Sequence, residues 1–119
     1  MVLVDTSVWI EHFRNGHPRL VKHLNEGSVL RHPYVVGELA CGNIRNREEI
    51  LDLLRAIPQA KLAEDEEVYH LIETEELFGR GIGWVDMHLL VSALISGCAL
   101  WTLDRRLQRT AKSLSVATP

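Results

Sequence analysis

The apolar residues of this chain fall into short runs that alternate with segments of helical periodicity. Val2 to Val4 is uninterrupted and rich in β-branched residues, which is typical of a strand buried on both faces of a parallel sheet. Further short strands are predicted at 28–31, 60–63 and 99–103. The distances between these strands leave room for a helix or two in each interval.

Helices are predicted between and after the strands. The firmest spans 47–57, where apolar residues recur three or four positions apart and Pro58 ends the helix. Its inward residues are predicted to be Ile50, Leu53, Leu54 and Ile57. The other predicted helices cover 6–14, 20–25, a segment that starts at Pro33 and carries Glu38, 65–78, 85–96 and 104–114. Thr6 or Ser7 is expected to cap the first of them.

Strands that alternate with helices predict an α/β fold, a three-layer α/β/α sandwich with a central parallel sheet. Residues 1–119 are predicted to form one domain, because this length is close to the usual ~100–150 residues. With 46% hydrophobic and 24% charged residues, the chain can bury an ordinary core. The uncharged stretch 87–103 is shorter than the ~20 apolar residues that a bilayer requires, so no membrane span is expected. No signal-peptide pattern is visible, and a cytoplasmic location is the default expectation.

Four acidic residues lie where predicted strands end or on the helices that follow them. Asp5 and Asp104 directly follow the first and last strands, whereas Glu38 and Asp86 lie on helices. Because ligand sites of parallel sheets lie beyond the carboxyl ends of the strands, we expect these four to converge. Taken singly, each acid has a simpler role, the aspartates as helix N-caps and Glu38 as an exposed helix acid. Their joint placement is what favours a shared site.

Four carboxylates at one edge of a sheet must either be protonated in part or bind a cation. Oxygen ligands of this kind suit Mg²⁺ or Mn²⁺, which can activate a water and neutralise charge on a phosphodiester. The six histidines show no spacing typical of a zinc site. The acids therefore indicate divalent-metal chemistry on a phosphate substrate.

The segment LVDTS around Asp5 also admits other enzyme classes. Asp-Thr-Ser occurs in aspartic proteases, but those are all-β proteins, whereas this chain predicts at least five helices. A phosphotransferase of the haloacid-dehalogenase type needs a second aspartate two residues after the first, and that position is Ser7. A non-catalytic interaction domain on the same fold stays open, because a fold does not fix a function.

Four motifs resemble those of the PIN-domain ribonucleases, and most closely the VapC toxins of type II toxin–antitoxin pairs. They are VDTSVWI around Asp5, GELA around Glu38, GWVDMHLLVSAL around Asp86 and LWTLDRRL around Asp104. The resemblance spans nearly the whole chain and implies a PIN-like α/β/α domain that cleaves RNA with Mg²⁺ or Mn²⁺. A non-catalytic PIN-like interaction domain is the alternative.

The same resemblance implies roles for individual residues and partners. Asp5, Glu38, Asp86 and Asp104 would form the acidic quartet, with Asp5 and Asp86 as the first candidates for direct metal ligands. Glu38 and Asp104 would complete the pocket, bind a second ion or orient the attacking water. The hydroxyls of Thr6, Ser7 and Thr102 would hold these carboxylates in place. The resemblance also implies a homodimer, and a small cognate antitoxin protein that blocks the site.

Positive charge gathers directly after Asp104, although the net charge of the chain is −3. The basic residues of this helix are Arg105, Arg106, Arg109 and Lys112. They would be able to contact the RNA backbone, but an ordinary solvated helix face has the same pattern. Gly79, Gly81 and Gly83 lack the Lys-Ser/Thr of a P-loop and predict a mobile loop beside the acidic pocket.

Overall fold

The computed structural model describes residues 1–118, and within them three short parallel strands alternate with seven helices. The strands are β1 (Val2–Val4), β2 (Val29–Leu30) and β3 (Ala99–Trp101). The helices are α1 (Thr6–Asn15), α2 (Pro18–Asn25), α3 (Pro33–Cys41), α4 (Arg47–Ala56), α5 (Asp65–Thr74), α6 (Trp84–Ser96) and α7 (Arg105–Ser113).

Strand β1 lies at the centre of the sheet, whose strand order is β2-β1-β3. Val2 is opposite Val29 on one side and opposite Ala99 on the other. Every side chain of β1 is buried. Because successive side chains of a strand point to opposite faces, both faces of the sheet must be covered. The apolar run at the start of the chain is therefore the middle of the core.

Helices provide that cover. Helix α6 packs against both β1 and β3, and α5 lies against α6. Helix α1 packs against α3, which in turn contacts α4. The predicted fold class, a three-layer α/β/α sandwich around a parallel sheet, is confirmed. In the described part of the chain, no helix has both the length and the apolar character to cross a bilayer.

The predicted strand at 60–63 does not form. Its segment touches the sheet through a single parallel bridge between Arg31 and Gln59. Two backbone hydrogen bonds make this bridge, one from Arg31 N to Pro58 O at 2.8 Å and one from Ala60 N to Arg31 O at 2.9 Å. The next amide, Lys61 N, donates to the Ser96 hydroxyl at 2.9 Å rather than to a strand. Ala60 is nevertheless buried, and this burial explains the apolar signal at that position.

Several predicted boundaries also shift. Asp5, and not Thr6 or Ser7, occupies the N-cap position of α1, and its carboxylate makes no capping hydrogen bond. Helix α5 ends at Thr74 rather than near Phe78, and the next turn places Glu76 at a positive φ of 51°. In α4, Leu51 and Leu54 are buried, whereas Leu53, predicted to point inward, is 58% exposed.

Candidate active site

Asp5 lies at the carboxyl end of the central strand and is buried. Its backbone N–H continues the parallel ladder by donating to Trp101 O at 2.9 Å. The chain then turns directly into α1, so the carboxylate of Asp5 is fixed between the end of β3 and the start of a helix. Such a position is where parallel sheets present side chains to ligands.

Two hydroxyl groups hold one oxygen of the Asp5 carboxylate. Thr102 Oγ1 donates to Asp5 Oδ2 at 2.7 Å, and Ser7 Oγ donates to the same oxygen at 2.8 Å. Both hydroxyls are themselves fixed by backbone amides. Asp104 N donates to Thr102 Oγ1 at 3.0 Å, and Leu103 N donates to Ser7 Oγ at 2.9 Å. The Asp5 carboxylate is thus oriented and held through Oδ2, while neither hydroxyl reaches Oδ1.

Glu38 and Asp104 are also held through one oxygen each. Thr6 Oγ1 donates to Glu38 Oε1 at 2.9 Å, which ties α1 to α3. Asp104 is the N-cap of α7, where its Oδ1 accepts from Arg106 N at 2.9 Å and from Leu107 N at 3.0 Å. Asp104 therefore caps a helix, which is the simpler role that its sequence position suggested. Its Oδ2 takes no part in this capping. The two acids are exposed, in contrast to Asp5.

Asp86, in the first turn of α6, feels the other three acids. The pKa of its carboxyl is raised to about 6, first by burial and then by the charges of Asp5, Asp104 and Glu38. A backbone hydrogen bond from Gly83 acts in the opposite direction. The four predicted acids, which come from four different elements, therefore share one electrostatic environment.

The donor set fits a divalent cation that retains part of its water shell. Within residues 1–118, no three His, Cys, Asp or Glu side chains form a closed cluster that would hold a metal by themselves. Mg²⁺ does not require such a cluster, since it is usually bound by one or two carboxylates, several waters and substrate phosphates. Asp5 and Asp86 supply two carboxylates with a mutual repulsion that a cation would relieve. The oxygens left without a hydroxyl or amide partner are the atoms on which it would bind.

The three predicted hydroxyl residues each contact a carboxylate of the acidic site. Thr6 contacts Glu38, and both Ser7 and Thr102 contact Asp5. Their geometry depends on the turn 102–104, where β3 has already ended at Trp101 instead of continuing to Leu103 as predicted.

The four basic residues predicted as RNA contacts are all exposed on α7. Arg106 and Arg109 line a cavity of about 290 Å³ together with Arg80 and Thr110, whereas Arg105 and Lys112 do not. Arg80 was not predicted from the sequence. Its one signal there was its place in the loop that contains Gly79, Gly81 and Gly83.

Comparison with known proteins identifies relatives along nearly the whole chain. The PIN domain family model matches residues 2–113. Ribonuclease VapC32 from two strains of Mycobacterium tuberculosis, CDC 1551 / Oshkosh and H37Rv, is 46% identical over 118 residues. Each match covers 98% of this chain and 95% of the relative. Among solved structures, the crystal structure of PAE2754 from Pyrobaculum aerophilum superposes with a TM-score of 0.62. That match has 17% identity and covers 95% of this chain and 85% of the other, so it supports the fold alone.

Proposed function

The chain belongs to the PIN-domain family and, within it, to the VapC ribonucleases, and on this premise we propose that it is a metal-dependent endoribonuclease toxin. Residues 1–119 would act as one domain in the cytoplasm and hydrolyse phosphodiester bonds of RNA. The observation that carries the proposal is the acidic site itself. Four carboxylates from separate elements influence one another, and three of them are anchored through a single oxygen.

In the proposed mechanism, Asp5 and Asp86 hold Mg²⁺ or Mn²⁺. The cation, when bound, would lower the pKa of an attacking water and neutralise the charge that develops on the phosphate oxygens. Ser7 and Thr102 keep the Asp5 carboxylate in one orientation, so that no reorganisation is needed as the reaction proceeds. Glu38 and Asp104 complete the acidic pocket and orient the attacking water.

Substitution of the central acids tests this function. Asp5→Asn and Asp86→Asn should each abolish RNA cleavage by the purified, antitoxin-free protein, because an amide is a much poorer ligand for a hard cation than a carboxylate. Titration calorimetry with Mn²⁺ should show binding to the wild type and not to Asp5→Asn. The matched control is Asp52→Asn, which makes the same chemical change at an exposed residue paired with Arg55 on α4.

Two results would contradict the proposal. One is full cleavage activity in the presence of EDTA, and the other is wild-type activity in the folded Asp5→Asn variant. A folded wild-type protein that cleaves no RNA under any metal condition would instead support the non-catalytic interaction domain.

Family membership also supports partners for the chain. We propose a homodimer and a small antitoxin protein that covers the acidic pocket. Sedimentation equilibrium of the purified toxin would test the dimer, and a single species at the monomer mass of 13.5 kDa across the micromolar range would refute it.

A further inference from the structure

We propose that Arg80, Arg106 and Arg109 form a binding site for a backbone phosphate of the RNA substrate, beside the acidic pocket. This inference rests on the proposed ribonuclease function and names the part of the chain that holds the substrate. The three arginines line one cavity of about 290 Å³ together with Thr110. They come from two elements, Arg80 from the loop before α6 and the other two from α7.

Within the part of the chain that the structure describes, no carboxylate forms an ion pair with the arginines of this cavity. In residues 1–118, ion pairs connect Arg55 with Asp52 and His88 with Asp65, and neither involves these arginines. The one hydrogen bond of an arginine side chain here runs from Arg109 Nε to Arg105 O at 3.3 Å. Three guanidinium groups around one cavity repel one another, and a bound anion would relieve that repulsion. Guanidinium groups also match the geometry of a phosphate, to which they donate two parallel hydrogen bonds.

Gly81 allows the loop to lie against Arg106. A Cβ atom built on Gly81 would come within 2.6 Å of Arg106 Nη1 and 3.1 Å of Arg106 Cδ. Gly81 also has a φ of 75°, which residues other than glycine rarely adopt. The glycine therefore permits a close approach that brings Arg80 and Arg106 to the same cavity.

Both walls of the cavity connect directly to catalytic acids. Arg106 N donates to the carboxylate of Asp104, so the arginine lies two residues beyond the helix cap. The loop that carries Arg80 ends at Gly83, the N-cap of α6, whose first turn contains Asp86. A phosphate held in this cavity would fix the RNA strand next to the acidic pocket. A neighbouring phosphodiester of the same strand would then be presented to the acids.

Without a bound cation, the acidic pocket does not attract RNA, because its carboxylates and the net charge of −3 repel phosphates. A local positive site is therefore needed to bring the substrate close. The exposed stretch of α7 also carries Arg105 and Lys112, but these two do not line the cavity. On α7, Arg106 and Arg109 are therefore expected to bind the phosphate, whereas Arg105 and Lys112 are not.

RNA binding without cleavage is the measurement. The wild-type toxin, free of antitoxin and in EDTA, is titrated against a fluorescein-labelled single-stranded RNA, and anisotropy is recorded at several salt concentrations. Arg80→Ala, Arg106→Ala and Arg109→Ala should each weaken binding by about 5–10-fold, as expected for the loss of a charge-assisted hydrogen bond. The triple Arg80, Arg106 and Arg109 to Ala variant, which removes this one phosphate contact, should reduce the slope of log Kd against log salt by about 0.7. Arg47→Ala, which removes the same charge from exposed α4, should leave the slope unchanged.

The glycine loop offers a test that changes no charge. Gly81→Ala should weaken RNA binding, because the new Cβ displaces the Arg106 guanidinium. Gly79→Ala is the matched control, since Gly79 has nearly the same φ of 73° but no heavy atom within 4 Å of a built Cβ. Melting curves of both variants show whether either effect arises from unfolding.

Three outcomes would overturn the site. The first is an equal loss of RNA affinity in Arg105→Ala and Arg106→Ala, which would mean a diffuse positive helix. The second is wild-type RNA affinity in the triple Arg80, Arg106 and Arg109 to Ala variant, and the third is that this variant loses antitoxin binding while keeping RNA. If the arginine variants lose affinity but the wild type cleaves no RNA with any metal, the ribonuclease proposal fails and the phosphate site stands.

Discussion

At the scale of single residues, Thr102 links two acids of the site. Its hydroxyl proton is directed to Asp5 Oδ2 at 2.7 Å, and its oxygen accepts from Asp104 N at 3.0 Å. The side chain is buried, so water cannot replace these partners. One hydroxyl therefore fixes the acid that follows β1 relative to the acid that follows β3.

Replacing Thr102 with valine should separate orientation from ligation. Thr102→Val keeps the shape of the side chain but leaves a buried carboxylate oxygen and a backbone amide each with one partner fewer. We expect a loss of about 1–3 kcal/mol in the free energy of unfolding. Activity should fall about 10–100-fold, the usual effect of removing a group that orients a metal ligand. Urea denaturation and initial rates of RNA cleavage measure the two effects.

Thr102→Ser is the matched control, because it retains the hydroxyl and should keep most of the activity. Equal activities of the valine variant and the wild type would show that Ser7, which donates to the same oxygen, is sufficient to orient Asp5.

At the scale of elements, the ends of the helices decide where the acids lie. Helix α6 has Gly83 as its N-cap and Gly97 as its C-cap, so that Asp86 is in its first turn and β3 starts two residues after Gly97. Gly97 adopts the left-handed conformation at φ 64° and ψ 36°, and its N–H bonds back to the last turn of the helix. This C-cap reverses the chain into β3, the strand that precedes Thr102 and Asp104.

A pair of glycine substitutions tests that cap. Gly97→Ala should destabilise the protein by about 1 kcal/mol, because alanine is strained at this positive φ although nothing lies within 4 Å of its Cβ. Gly37→Ala is the control with the opposite sign. Gly37 lies inside α3 with open space around it, so alanine should stabilise the protein by roughly 0.5–1 kcal/mol. Thermal unfolding of both variants gives the comparison, and a shift in the same direction for both would contradict the assigned conformations.

The strongly patterned elements were predictable from the sequence, and the weakly paired ones were not. The apolar run of β1 is buried throughout, and the apolar residues of α6 and α7 recur with helical periodicity and form a buried face in each helix. The segment 60–63 has similar local composition, but its backbone amide at Lys61 is taken by Ser96, a partner 35 residues away. Leu53 was misplaced for a related reason, because the apolar stripe of α4 admits two rotations and only tertiary packing selects Leu51 and Leu54 as buried.

The proximity of the four acids was predictable from the sequence, but their individual contacts were not. The resemblance to a known family and the rule for parallel sheets both indicated Asp5, Asp86 and their partners. The pairing of Ser7 with Asp5 and of Thr6 with Glu38 depends on how α1 turns out of the sheet. Arg80 escaped prediction because its relation to Arg106 arises from the close approach at Gly81, which no local pattern encodes.

At the scale of the whole molecule, buried histidine links folding to acidity. His32 is buried at the N-cap of α3, and its Nδ1 accepts a hydrogen bond from Tyr34 N at 3.0 Å. Burial lowers the pKa of His32 to about 4 from its usual 6.5, and the nearby His88 lowers it as well. Its neutral ring therefore stabilises the fold, and protonation would cost both the capping bond and the dry environment.

The sign of the pH dependence follows from this lowered pKa. Between pH 6.5 and about 4 the unfolded chain binds a proton at His32 that the folded chain does not, so stability falls as the pH decreases through this window. The loss should be on the order of 3 kcal/mol. Asp86 acts in the opposite direction, since its raised pKa of about 6 favours the folded state on acidification. A pH profile of the wild type alone would therefore mix the two contributions.

The variant His32→Asn isolates the histidine. Asparagine is a good N-cap, so its side-chain oxygen can accept from Tyr34 N without titrating. The free energy of unfolding in urea should be measured for both proteins at pH 7, 6, 5 and 4.5. We expect the wild type to lose about 2–3 kcal/mol more than the variant over this range, because Asp86 and the remaining acids contribute equally to both. Parallel profiles would mean that His32 binds its proton at the same pH in the folded and in the unfolded protein. Its protonated ring could then not accept the Tyr34 amide at low pH, and another group would have to cap α3 there.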